Sequence, residues 1–195
     1  MLGTGTKGLT EPIPRPQLDL IMQSLESQER WRDLMLFKVL SNSGLRISDV
    51  LPITVGDLKA FKLGTEVQLR EGKTGKSHSF TVNQALADVA GRYLQAHPNA
   101  QDHECVLASR KGRNRPITRQ TAWCLIKTIC RQAGVQVNSG CHSLRKTLAR
   151  SAIMDHGVPI EVVSEMMGHS SPAVTRRYAC ITRDDIKQAR LKVGF

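Results

Sequence analysis

The sequence predicts a mainly α-helical domain with one small antiparallel β-sheet, an α+β fold. Apolar residues recur at helical spacing through most of the chain, and the period drops to two only over residues 66–82. Aromatic residues are just 4 % of the total. The core must therefore be built from Leu, Ile, Val, Ala and Met, a composition that favours packed helices over a β-sandwich. A length of 195 residues suits one domain with a sizeable core and is short for two.

Residues 1–14, MLGTGTKGLTEPIP, are rich in Gly, Thr and Pro, lack periodicity, and read as a flexible tail or linker ahead of a domain spanning 15–195. From Arg15 onward Leu18, Ile21, Met22 and Leu25 share a helical face, with Pro16 suited to a first turn. A second helix is expected over 30–43, burying Leu34, Phe37 and Leu40 and ended by Gly44; a short third begins near Arg46, before Pro52. Val67 and Leu69 then share one strand face, and His78, Phe80 and Val82 another, so that 66–82 reads as a hairpin around GKTGK. Helical spacing returns from Asn83 through Leu86, Val89, Ala90, Tyr93 and Leu94, and stops near Pro98.

A short apolar run at 105–108 and the basic loop SRKGRNRP follow. Thr118 can cap the next helix, whose apolar face is read as Trp123, Ile126, Ile129 and Ala133 and which Gly134 ends. Helices over 142–156, 159–167, 171–180 and 183–192 complete the chain. The last, with Ile186, Ala189, Arg190 and Val193, is amphipathic and suited to packing on its own domain or on a neighbour.

The formal net charge is +11, divided as +2 up to Ala100 and +9 beyond it. A domain this basic ordinarily meets a polyanion, because neutralised phosphates release condensed counterions. Cys105, Cys124, Cys130, Cys141 and Cys180 form an odd set without CxxC spacing, which reads as reduced thiols of a cytoplasmic protein. No metal site is expected, since His103 and Cys105 have no second pair at zinc-ligand spacing. No apolar run reaches membrane-spanning length, so no membrane partner is expected. GKTGKS at 72–77 imitates a phosphate-binding loop, but Arg70 stands where that loop requires its first Gly, and the segment joins two strands where a strand and a helix are needed.

Five segments carry the remaining chemistry: SGLRISDV (43–50), GKTGK (72–76), CHSLRKT (141–147), MGHSS (167–171) and RRYA (176–179). In this order, with His169 nine residues before Tyr178, they resemble the tyrosine recombinase (phage integrase) family. The resemblance implies that family's DNA breaking-rejoining catalytic fold. It also implies site-specific recombination of double-stranded DNA (integration, excision or inversion) through a 3′-phosphotyrosyl intermediate, with no cofactor. Tyr178 would be the nucleophile. Arg46 and Arg145 would stabilise the extra negative charge of the phosphorane-like transition state; the rival role for Arg46 is a surface ion pair, for example with Asp49, which itself matches a supporting acidic position.

His142, at i, i+3 from Arg145 and so on the same helix face, would accept the tyrosine proton or donate to the phosphate; a helix cap is its plainer role. His169 would hydrogen-bond the scissile phosphate. Lys73 matches the family's general acid for the departing 5′ oxygen, and Lys76 competes for that part. Arg110, Lys111, Arg113 and Arg115 in the basic loop, Arg119, Lys127 and Arg131 on the following helix, and Arg176 and Arg177 are the expected DNA-backbone contacts.

Relatives in this family work as four protomers on two DNA sites, which implies self-association as a tetramer, in some cases with accessory DNA-bending proteins, in a bacterial nucleoid or phage-infected cell. Larger members carry an N-terminal helical domain that closes over the DNA. Residues 1–14 leave room only for a tail, which fits either an isolated catalytic domain or a compact recombinase. Two rivals stay open: a type IB topoisomerase, which relaxes DNA by related chemistry, and a non-cleaving DNA-binding regulator descended from a recombinase.

Overall fold

The computed structural model describes residues 9–70, 77–112 and 114–193. Its elements in order are α1 (Arg15–Ser27), α2 (Trp31–Asn42), α3 (Ile47–Val50), α4 (Val55–Lys59), β1 (Glu66–Arg70), β2 (Ser77–Thr81), α5 (Gln84–Ala96), α6 (Arg119–Gln132), α7 (Cys141–Met154), α8 (Ile160–Met166), α9 (Pro172–Tyr178) and α10 (Arg183–Lys192). Helix α2 is central, packing against α1, α3, α5 and α7. Its Leu34, Met35, Leu36, Phe37, Val39 and Leu40 are all buried, as suits a helix covered on several sides at once. The main core runs from Ile13 to Leu144 in sequence, and a smaller cluster of Ala149, Ala152, Val163, Met167 and Ala179 joins α7, α8 and the end of α9.

β1 and β2 pair antiparallel in the register Glu66↔Thr81 through Arg70↔Ser77. Phe80 meets Phe61 edge-on, with ring centroids 5.5 Å apart. Segment 71–76, with both Lys73 and Lys76, lies outside the described residues, as does Arg113.

The structure departs from the sequence reading in three places. Residues 9–14 are strapped to the domain where a free tail was expected. Ile13 is buried, its N–H donates to Thr147 Oγ1 at 2.8 Å, the Glu11 N–H donates to the Asn138 carbonyl at 3.0 Å, and Lys146 Nζ donates to the Thr10 carbonyl at 2.6 Å. Helix α4 was not foreseen; it is short, and its one signal is the reciprocal cap between Thr54 and Asp57. Trp123 is 39 % exposed, with Lys127 Nζ 4.7 Å from its ring centroid, and Ala133 is exposed; Ala122, Ile126, Ile129 and Cys130 form the buried face of α6.

Gly44 closes α2 with φ +70°, and a Cβ there would stand 3.1 Å from the Met166 carbonyl. α10 buries none of its residues, and Leu191 and Val193 are exposed. Among the described residues, no helix is long and apolar enough to cross a membrane, and no group of three or more His, Cys, Asp or Glu is placed to hold a metal ion.

Candidate active site

Arg145 organises the site. It sits on the second turn of α7, whose first turn is fixed by the Gly140 N–H donating to Ser143 Oγ at 3.1 Å. Although charged, Arg145 is only 5 % exposed, and a buried guanidinium must find acceptors. Its Nε donates to the Gly44 carbonyl at 2.5 Å and its Nη2 to the Met167 carbonyl. Gly44 ends two residues before Arg46, and Met167 two residues before His169. One fork therefore ties together the two loops that carry the other candidate residues.

Arg46 is exposed at the start of α3, where its backbone N–H donates to Asp49 Oδ2 at 3.1 Å. Asp49 is buried, also accepts from Ser48 Oγ at 3.1 Å, and sets a negative charge behind Arg145. His169 Nδ1 lies 2.9 Å from Thr175 Oγ1, and its ring meets Tyr178 edge-on at 4.8 Å between centroids. The Thr175 hydroxyl also lies 3.5 Å from the Ser171 carbonyl, one turn back on the same helix, so it fixes the orientation of the His169 ring and leaves Nε2 facing away from this contact.

Tyr178 ends α9, half-buried among these groups. His142 Nδ1 is 3.4 Å from its hydroxyl, while Arg145 Cζ and Lys146 Nζ stand 5.7 and 5.5 Å from its ring centroid. Burial pushes the Tyr178 phenol above its ordinary value, and the cations Arg145 and Arg46 pull against that rise. His142 is held below the ordinary histidine value by desolvation first and then by Arg145, Lys146 and Arg46. His169 is lowered by desolvation, Arg145 and Arg46. The arrangement is thus a protonated phenol beside a neutral imidazole, with arginine charge around both. Such a set can remove a proton from the hydroxyl while stabilising an anion next to it.

The structure brings together His142, Arg145, His169 and Tyr178 by direct contact and Arg46 through its field. Arg110, Lys111, Arg115, Arg119, Lys127, Arg131, Arg176 and Arg177 are all exposed. Sequence reasoning missed Thr175, which is fully buried behind His169, and Lys146, which spans the strap and the Tyr178 ring. A Thr inside a helix and a Lys after an Arg carry no signal of their own.

The model of the Phage integrase family matches residues 13–184. The chain belongs to the phage integrase family. Tyrosine recombinase XerA of Pyrococcus furiosus is 27 % identical over 183 residues, covering 94 % of this chain and 60 % of that relative. Tyrosine recombinase XerD of Corynebacterium glutamicum is 30 % identical over 161 residues, covering 80 % of this chain and 51 % of that protein. The chain thus spans between half and two-thirds of the length of these relatives. Among solved structures, XerA recombinase matches with a TM-score of 0.77 at 19 % identity over 96 % of this chain and 66 % of that one. XerH recombinase, solved on its difH substrate after cleavage, matches with a TM-score of 0.71 at 18 % identity, over 97 % of this chain and 55 % of that one. These matches show the family's mostly helical catalytic fold with its small antiparallel sheet.

Proposed function

We propose that this member of the phage integrase family is a site-specific DNA recombinase that cuts and rejoins double-stranded DNA through Tyr178. The observation that carries the proposal is the Tyr178 hydroxyl lying 3.4 Å from His142 Nδ1 inside a group of arginines and a second histidine. His142 takes the phenol proton as the Tyr178 oxygen attacks the scissile phosphate. The phosphate then carries more negative charge than in the ground state, and Arg46, Arg145 and His169 donate to its non-bridging oxygens. Lys73 protonates the departing 5′ oxygen, which leaves a 3′-phosphotyrosyl link and a free 5′-hydroxyl.

One phosphodiester replaces another, so the step needs no nucleotide, and a 5′-hydroxyl from a partner strand reverses it. XerH and lambda integrase are solved on DNA, which supports duplex DNA as the partner here. The exposed Arg110, Lys111 and Arg115 and the exposed cations of α6 would hold its backbone. Strand exchange requires four protomers on two sites, and the exposed α10 is suited to linking neighbours; accessory DNA-bending proteins are compatible with this scheme, as is a mobile element as the DNA.

The test uses nicked duplexes of random sequence, from which covalent protein–DNA adducts are recovered and sequenced to define a site. A supercoiled plasmid with two copies of that site should yield recombinant circles. Relaxed circles without recombinants would replace the proposal with topoisomerase activity, and binding without adducts would replace it with a non-cleaving regulator.

A further inference from the structure

The chain that leaves Tyr178 is turned sharply and fastened by one arginine outside the motifs. Helix α9 ends at Tyr178, and two residues on, Cys180 takes φ +53°. Side chains with a Cβ rarely adopt this left-handed backbone, and it persists where the surroundings over-determine it. Arg150 of α7 supplies that constraint. Its Nη1 donates to the Cys180 carbonyl at 3.1 Å and lies 3.5 Å from the Ala179 carbonyl. Nη1 and Nη2 also grip the two carboxylate oxygens of Asp185 at 3.0 and 2.5 Å. The same carboxylate accepts from the Thr182 N–H and hydroxyl at 2.7 and 2.8 Å, capping α10.

Ala179, between the tyrosine and the turn, is fully buried against α7 and α8 residues. A forked guanidinium making parallel bonds to a carboxylate is geometrically selective, and a lysine cannot copy it. The polypeptide on the far side of Tyr178 is thereby anchored to the helix that carries His142 and Arg145. The tyrosine's position against those two residues then depends on the anchor.

We propose that Arg150 and Asp185 are positioning residues that act as a clasp, seating Tyr178 in the active site by fixing the turn that follows it. This rests on the recombinase reading above. Neither residue touches the reacting atoms, so the clasp should govern the rate of cleavage and leave DNA affinity alone. A misplacement of about 1 Å in a reacting group costs on the order of 10²-fold in rate.

The experiment compares wild type with Arg150→Met, Arg150→Lys and Asp185→Asn in the full chain. Three quantities are read: adduct formation in a single turnover at saturating nicked duplex, duplex affinity, and amide hydrogen exchange without DNA. The expected result is a fall in adduct rate of about 10- to 10²-fold for Arg150→Met and Asp185→Asn, with affinity unchanged and partial recovery in Arg150→Lys. Exchange should rise over 176–190 and stay as in wild type across α2 and α5. Wild-type rates with unchanged exchange would overturn the clasp, and so would affinity falling in step with rate or exchange rising throughout the domain. If wild type itself forms no adduct, the recombinase reading fails, and the exchange comparison still judges whether Arg150 holds the turn.

Discussion

Replacing Arg145 with lysine keeps a positive charge on α7 and removes the fork. In wild type, Nε and Nη2 hold the Gly44 and Met167 carbonyls, and the side chain is 5 % exposed. A single ammonium on an unbranched stem cannot reproduce both bonds in their places, so at least one buried carbonyl loses its partner. That costs about 1–3 kcal/mol of stability, which in a domain of this size lowers Tm by roughly 2–12 °C. The rate should suffer more. Losing a donor aimed at transition-state charge slows a reaction by about 10²–10³-fold. The loops carrying Arg46 and His169 also lose their common tie, so Arg145→Lys combined with His169→Ala should cost less than the two single effects added. Calorimetry reads the first effect and single-turnover adduct formation the second. Arg145→Lys with wild-type Tm and wild-type adduct rate would refute the reasoning, and strict additivity with His169→Ala would refute the shared tie.

Thr175→Val removes one hydroxyl from a fully buried, similarly shaped side chain and leaves His169 Nδ1 without its 2.9 Å partner. The loss of about 0.5–1.5 kcal/mol should appear as roughly a 2- to 10-fold slower cleavage at unchanged DNA affinity, and a wild-type rate would contradict it. Gly44→Ala forces a Cβ into φ +70°, 3.1 Å from the Met166 carbonyl, and should destabilise by at least about 1–2 kcal/mol; an unchanged melting temperature would speak against this. The histidines set the pH response. His142 and His169 have folded values below the ordinary 6.5, so over that window the unfolded chain binds protons that the folded chain does not. Stability should hold above pH 6.5 and fall as the pH drops below it, and His169→Gln should flatten the decline in a series of denaturant titrations. Cleavage should fall at some pH below 6.5 as His142 gains its proton, and a cleavage rate that stays level down to the pH at which the domain unfolds would remove His142 as the base. Duplex affinity should drop steeply with added salt and less steeply after neutral substitution of Arg110, Lys111 and Arg115; equal salt slopes would exclude that loop from the interface.

The helices were legible in the sequence where one face alone meets the core. Leu18, Ile21, Met22 and Leu25 mark α1 because solvent covers its other side. Helix α4 escaped because its few residues include Gly56 and Asp57 and supply no period, only a cap. The strap at 9–14 escaped because its order comes from partners more than a hundred residues away, Asn138, Lys146 and Thr147, and local composition cannot carry that. Trp123 was misplaced for a simpler reason: the buried stripe of α6 is rotated toward Ala122 and Cys130, and the indole lies under Lys127 at its edge.

In the site, Arg46, His142, Arg145, His169 and Tyr178 could be picked out as an ordered set of motifs. Their tie through two backbone carbonyls could not, because a carbonyl has no letter in the sequence. Thr175 and Arg150 were silent for the same reason, since each acts through a partner fixed only by the fold. Lys73 and Lys76 lie outside the described residues, and substituting each in turn is the way to separate them.

The proposed recombinase chemistry stands or falls on the Tyr178 oxygen as the atom that attacks DNA. The most direct measurement is mass spectrometry of the protein after reaction with a nicked duplex that traps the cleaved strand. Wild type should carry nucleotide on the peptide containing Tyr178, and Tyr178→Phe, which removes only the hydroxyl, should carry none anywhere. An adduct on any other residue, or one that survives Tyr178→Phe, would contradict the account.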